Sequence, residues 1–375
     1  MQEKQAKNGT GMTLAACLWL GLFPLLQGFT YSRITRDKWW IMVALCGVTL
    51  LCFCFDSARR FISARSSGGG FDRSFSRVPR LPLILGSLLL LWSVISCLLS
   101  PYGPETWWLG ASVRREGLVT QLCYLFLFFC FILSRVNLKP VLFSAAAGVV
   151  LFFTVVILQR LGGNPLGLYP AGRSYARNPE FQGTIGNIDM GTGYLCMLSG
   201  LFLHGGIRLF RSFRLDCSRS SLAASFCCVV GLAFSVYLIF TMRVQFSMIS
   251  LAALAVFSIL VLLPKKWRLT ALVLLLVLVL LVVWFWPGTG GGIWELHEIL
   301  HGRGRLSFGS NRVAVWYYSL RLAGSRLLTG GGSDTFVLRF NQFLQDNGFA
   351  IPDEQDGVPS LIILIIRIMS ILHRC

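Results

Sequence analysis

Charge is what this sequence has least of. Asp, Glu, Lys and Arg make up 13% of its 375 residues, against 55% hydrophobic ones, and mean hydropathy is +0.67. A soluble chain of this length needs far more polar surface to cover its core, so a water-soluble globular domain is excluded. Histidine occurs four times. No Cys-x-x-Cys pair or Cys/His spacing suggests a metal, so neither a metal nor another cofactor is expected. The 12 cysteines sit mainly inside apolar runs, as Cys46, Cys52, Cys54, Cys123, Cys130, Cys227 and Cys228 do. Placed there they serve as small packing residues, and a disulfide framework is not supported. The glycines of "GTGGG" (288–292) lack the Lys-Ser/Thr and the preceding strand of a phosphate-cradling loop. No internal repeat is visible.

What is present is a succession of apolar runs about 17–22 residues long, enough to cross a ~30 Å hydrocarbon layer as helix. They cover 12–30, 39–55, 81–100, 117–134, 140–158, 187–205, 222–241, 247–263 and 269–286. The expected fold is all-α, a polytopic transmembrane helical bundle of about nine spans, with a long extracytoplasmic loop containing an amphipathic helix. In domain terms, 1–286 form the bundle, 287–360 the loop with its surface helices, and 361–375 an aberrant apolar tail. The first run has the basic start of a signal peptide, but its length and the second run close behind it favour a retained helix.

The formal charge of +18 sorts by loop, so it is read as a topology signal and as contact with anionic membrane lipids rather than with nucleic acid. Lys4, Lys7, Arg59, Arg60, Arg65, Arg73, Arg77, Arg80, Arg135, Lys139, Arg208, Arg211, Arg214, Arg219, Lys265, Lys266 and Arg268 fall on one side. A smaller set, Arg33, Arg36, Lys38, Arg114, Arg115, Arg160, Arg173, Arg177 and Arg243, falls on the other. The positive-inside rule then puts the N-terminus in the cytoplasm and everything from Pro287 onward outside.

Several arginines lie near the outer ends of spans: Arg243 in "FTMRVQF", Arg173 and Arg177 in "YPAGRSYARNPEFQGTIGN", Arg114 and Arg115 in "LGASVRREGL", and Arg312 opening the outer helix. Such a cluster suits a diphosphate, which guanidinium pairs bidentately, and it suits lipid headgroups equally well. In "GTIGNIDMGTGYL", Asn187 and Asp189 stand at the mouth of a span, and Asp189 is a candidate helix cap. In "GSNRVAVWYYSLRLAGSRLLTGGGSDTF", Arg312, Trp316 and Leu320 recur at helical spacing, with Val313, Tyr317 and Leu327 near the same stripe. That predicts an interfacial amphipathic helix closed by glycine.

These four stretches occur in the order of motifs in the O-antigen ligase and O-antigen polymerase superfamily, which they resemble. "GTIGN" resembles its motif at the head of a span, "VRREG" its R-x-E/D-G loop, and Arg243 its outer-turn arginine. "RVAVW…LLTGGGSDTF" resembles its loop helix. The resemblance implies a membrane glycosyltransferase of surface-polysaccharide assembly in the bacterial plasma membrane. It would transfer or polymerise a glycan from a polyprenyl-diphosphate donor to an acceptor lipid or glycan. It further implies that Arg243, Arg312 and Arg177 hold the diphosphate, supported by Trp316, Asn187, Arg115, Gly330 and Gly332. The family's H-N-E-Y-L-like motif, whose His acts as base, has no counterpart. His204, His297, His301 and His373 stand in other contexts, no catalytic residue is named, and the chain is expected to be truncated and inactive alone. The alternative is a multi-span transporter or lipid-linked glycan flippase.

Overall fold

The computed structural model describes residues 9–28, 30–66, 80–112 and 114–349. The tail 361–375 and His373 lie outside them. Among the described residues the regular elements are helices, apart from one two-stranded hairpin.

Seven helices are long and apolar enough to cross a membrane. They are α2 (Ile34–Ser66), α3 (Arg80–Leu98), α6 (Leu138–Arg160), α7 (Ile188–Asp216), α8 (Arg219–Met242), α9 (Gln245–Leu262) and α10 (Lys265–Trp284). The other two expected runs form shorter helices. These are α1 (Thr10–Cys17), which widens into a π-turn over Leu18–Leu22, and α5 (Leu118–Ile132). Pro24 ends the first run early and Leu133-Ser134 ends the fourth, so nine apolar runs give seven full-length helices. A four-residue helix α4 (Pro104–Trp107) and three further helices, α11 (Gly291–Leu300), α12 (Arg312–Ala323) and α13 (Phe336–Asp346), complete the order.

Leu272, Val273, Leu274, Leu276, Leu278 and Leu280 of α10 are all exposed, and Val283 alone of that helix is buried. A helix apolar on every face and left uncovered over most of its length by the described residues would be insoluble in water, whereas in lipid each of those side chains is solvated. The chain is a multi-pass membrane protein by this criterion.

Two compact units divide the chain. The first comprises 1–90, 113–115 and 120–256, the second 91–112, 116–119 and 257–375. The core of the first lies among α6, α7 and α8. Leu142, Val149, Phe152 and Val156 pack there against Leu195, Leu198, Phe202, Leu238 and Ile239. Small residues let the helices close up, as where a Cβ on Gly148 would lie 2.6 Å from the Gly21 carbonyl. A carboxylate is buried here too. Asp56 of α2 accepts hydrogen bonds from the Gly11 and Met12 amides at 3.0 and 2.8 Å, standing in for the missing cap of α1.

The second unit has a smaller core. Leu306 and the α12 residues Ala314, Tyr317, Tyr318 and Leu322 pack on Phe340 of α13, with Phe343, Leu344 and Phe349 around them.

Candidate functional site

One end of the first unit is organised around the "GTIGN" segment. Strands β1 (Phe181–Gln182) and β2 (Gly186–Asn187) pair antiparallel, Gln182 opposite Gly186. The connection works because Gly183 and Gly186 take φ of +65° and +104°, which side chains disfavour. Three buried groups then close a ring of hydrogen bonds. Gln159 Nε2 donates to Tyr31 Oη at 2.7 Å, Tyr31 donates to the Gly183 carbonyl at 2.8 Å, and the Gly183 amide donates back to Gln159 Oε1 at 2.7 Å. Every polar atom of the Gln159 amide oxygen–Tyr31–Gly183 circuit is satisfied where an unpaired one would be costly.

Neighbouring segments are fixed to this ring. Thr184 donates to the Pro24 carbonyl at 2.8 Å. Lys38 Nζ reaches the carbonyls of Phe23, Pro24 and Leu26 just beyond the π-turn. Tyr169 donates to the Phe181 carbonyl at 2.6 Å, and burial pushes its phenol up to about 12. Asn187 caps α7, its Oδ1 accepting from the Asp189 amide at 2.7 Å. Asp189 itself sits in the first turn rather than at the cap, because the side chain one residue before the helix already accepts that amide.

The basic residues gather at this same end, for topological reasons. α7 and α8 run antiparallel after a tight turn, so the end of α8 lies level with the start of α7. Ser247 Oγ confirms the level by bonding Thr192 at 2.6 Å. Arg243 therefore lies at the same end of the bundle as the loop that carries Arg173 and Arg177 and leads into α7. It adopts a left-handed conformation, φ +55°, which ends α8 and turns the chain into α9. Its side chain is exposed and, among the described residues, has no hydrogen-bond or ion-pair partner. Arg177 is exposed as well and donates to the Gly172 carbonyl at 2.9 Å. Arg160 donates to Gln182 at 3.1 Å while its Nη2 is buried without a partner. Arg115 lies over the rings of Trp39 and Trp40, 5.2 and 6.0 Å from their centroids. Thr120 secures it by accepting from Trp39 Nε1 and donating to the Arg115 carbonyl. The acids in these segments are Asp37, which pairs with Arg36 at 3.7 Å, Glu116, Glu180 and Asp189, fewer than the basic residues. The end is electropositive.

Arg312, Trp316, Gly330 and Gly332 belong to the second unit. Arg312 is exposed and donates to the Gly309 carbonyl at 3.3 Å. Trp316 and Leu320 are 64% and 55% exposed, whereas Tyr317 on the neighbouring face is buried. The stripe read as one face is thus two, since α12 packs through Ala314, Tyr317, Tyr318 and Leu322 and turns Arg312, Trp316 and Leu320 outward. Nor do the triple glycines close that helix, which ends at Ala323 with Gly324 at its cap.

The glycines do something else. Gly330 and Gly332 take φ of +68° and +95°, and added Cβ atoms would lie 2.9 Å from the hydroxyls of Ser96 and Ser100. The loop backbone lies directly on the last turn of α3. Ser100 donates to the Gly331 carbonyl at 2.6 Å, the Gly332 amide donates to Ser96 at 3.2 Å, and the Ser333 amide meets Cys97 Sγ at 3.4 Å. Asp334 then accepts the amide and hydroxyl of Ser112 at 2.8 and 2.7 Å. The "GGGSD" loop is in this way tied to the segment that leads into "VRREG".

Tyr31, Gln159 and Trp39 escaped the sequence reading, and Lys38 entered it only as an outer-loop charge, since single polar and aromatic residues at span ends carry no spacing signal. One further feature had a signal. "HEILH", His297 to His301, places two imidazoles at i and i+4 around a glutamate.

The chain matches no protein-family profile, no curated protein and no solved structure.

Proposed function

We propose that this protein binds a polyprenyl-diphosphate-linked glycan at the electropositive end of its first unit, as a glycosyltransferase-like protein of surface-polysaccharide assembly. The observation that carries the reading is the unpaired Arg243 guanidinium at the same helix-bundle end as Arg177 and the half-satisfied Arg160. Guanidinium groups without carboxylate partners at a membrane-span end suit an anion, and a lipid diphosphate offers several oxygens to them at once. The rigid ring beneath, Tyr31–Gln159–Gly183, holds that loop in place before any ligand arrives, which lowers the ordering cost of binding. The ordered motif resemblance supplies the glycan and extends the diphosphate's partners to Arg312, with Trp316, Asn187, Arg115, Gly330 and Gly332 as supports. Charge distribution favours a cytoplasmic N-terminus, with this end facing outward, and the motif resemblance implies a bacterial plasma membrane. Acceptors on this reading are a lipid or a second glycan.

The test is retention of an undecaprenyl-diphosphate glycan by the purified protein in nanodiscs. Arg243→Ala and Arg177→Ala are each expected to weaken it about tenfold or more, since a hydrogen bond to a charged group contributes roughly 1.5–3 kcal/mol. Arg312→Ala tests the partner assigned by resemblance. Unchanged retention in Arg243→Ala and Arg177→Ala would overturn the site. Full displacement by equimolar phosphatidylglycerol would reduce it to headgroup contact.

A further inference from the structure

The two histidines of α11 and its cap are arranged in a way the proposed diphosphate site does not use. His297 Nδ1 lies 3.0 Å from the Val283 carbonyl, and His301 Nδ1 lies 2.8 Å from the His297 carbonyl. A carbonyl can only accept, so both Nδ1 atoms carry the proton. Both Nε2 atoms are left with a free lone pair. The rings sit 4.1 Å apart, centroid to centroid, on one helix face, and Trp284 packs against His301 at 4.4 Å with its plane inclined at 33°. Both imidazoles are half-buried, so packing limits their rotation.

We propose that His297 and His301 form a two-imidazole site for a divalent transition metal, zinc above all. Backbone carbonyls that fix the tautomer and raise the basicity of the other nitrogen are the usual outer support of metal-bound histidine. A zinc–nitrogen bond of about 2.0–2.1 Å in tetrahedral geometry needs donor atoms roughly 3.3 Å apart. Rings with centroids 4.1 Å apart and planes inclined at 40° are close enough to reach that by a small rotation. The i, i+4 spacing around a glutamate is that of zinc-binding helices in metalloproteases.

The remaining groups set a limit on the chemistry. Among the described residues no third His, Cys, Asp or Glu joins the pair, which leaves the other coordination positions to water or an incoming ligand. Glu298 is engaged by Arg303, whose Nη2 and Nε donate to its two oxygens at 2.6 and 2.9 Å. Glu295 accepts the Gly309 amide at 2.8 Å. The glutamate that would serve as general base in a protease is therefore occupied, and the structure assigns metal binding rather than hydrolysis to this site.

The experiment uses the whole chain in detergent, carrying no histidine tag, titrated with Zn²⁺ and with Co²⁺ as an optical probe. One equivalent is expected to bind and to raise the thermal midpoint. His297→Gln and His301→Gln should each weaken binding about tenfold or more and abolish the thermal shift. His204→Gln should leave both unchanged, as His204 lies on α7 in the other unit. X-ray absorption of the zinc form should show nitrogen and oxygen donors with imidazole scattering. Absence of stoichiometric binding, binding that survives both variants, or the ultraviolet charge-transfer band of cobalt thiolate would each overturn the proposal. The last of these would place the metal on cysteine.

Discussion

Replacing Gly183 by alanine puts the polar ring to a quantitative test. At φ +65° an L side chain costs about 1–2 kcal/mol before any contact is considered. The added Cβ would lie 2.4 and 2.6 Å from Cε2 and Cζ of Phe152 and 3.1 Å from a Val156 methyl. Phe152 is fully buried in the α6–α7–α8 core and has nowhere to retreat. Overpacking of this kind costs roughly 1–3 kcal/mol. The sum is a loss of about 2–5 kcal/mol, without counting any strain on the Gly183 hydrogen bonds. The assay is reversible unfolding in mixed micelles as the fraction of SDS is raised. Gly193→Ala is the control, because no atom lies within 4 Å of its added Cβ. In the helix interior alanine should stabilise by up to about 1 kcal/mol. A loss below ~0.5 kcal/mol for Gly183→Ala, or equal losses in both variants, would show that the turn is not held as described.

Asp334→Asn keeps a residue that tolerates φ +57° but removes the charge from the Ser112 bonds. Amide exchange in 110–112 should accelerate roughly fivefold, corresponding to about 1 kcal/mol, and unchanged protection would show the tie to be incidental. For Tyr169 the sign follows from its raised value. The unfolded phenol loses its proton near 10 while the folded one holds it to about 12, so its contribution is complete below pH 10 and is lost as pH rises toward 12. Tyrosinate absorbance followed alongside unfolding checks this, and Tyr169→Phe should remove that part of the alkaline sensitivity.

The helices were legible because apolar length is a cumulative signal, and every expected run did form one. Which runs reach full span length was not, because it turned on single residues such as Pro24. The roles inside the motifs were harder still. Asn187 and Asp189 are both plausible caps by type, and only backbone geometry separates them. Arg312, Trp316 and Leu320 share a face by spacing, yet spacing cannot say that Tyr318 stacks on Phe349 and that Tyr317 joins Phe340 in one buried cluster, so that these two claim the interior. The glycines of 330–332 announced a tight backbone, but the partner that demands it, Ser96 and Ser100 at the end of α3, lies more than two hundred residues earlier.

Asp56 has an implication for biogenesis. Because its carboxylate supplies the only side-chain acceptor described for the first amides of α1, neither partner is content alone: α1 without α2 exposes bare N–H groups, and α2 without α1 strands a buried anion. The two should enter the bilayer together as a hairpin. A chain shorn of its first twenty residues should then be recognised by quality-control proteases, even though every other helix is intact.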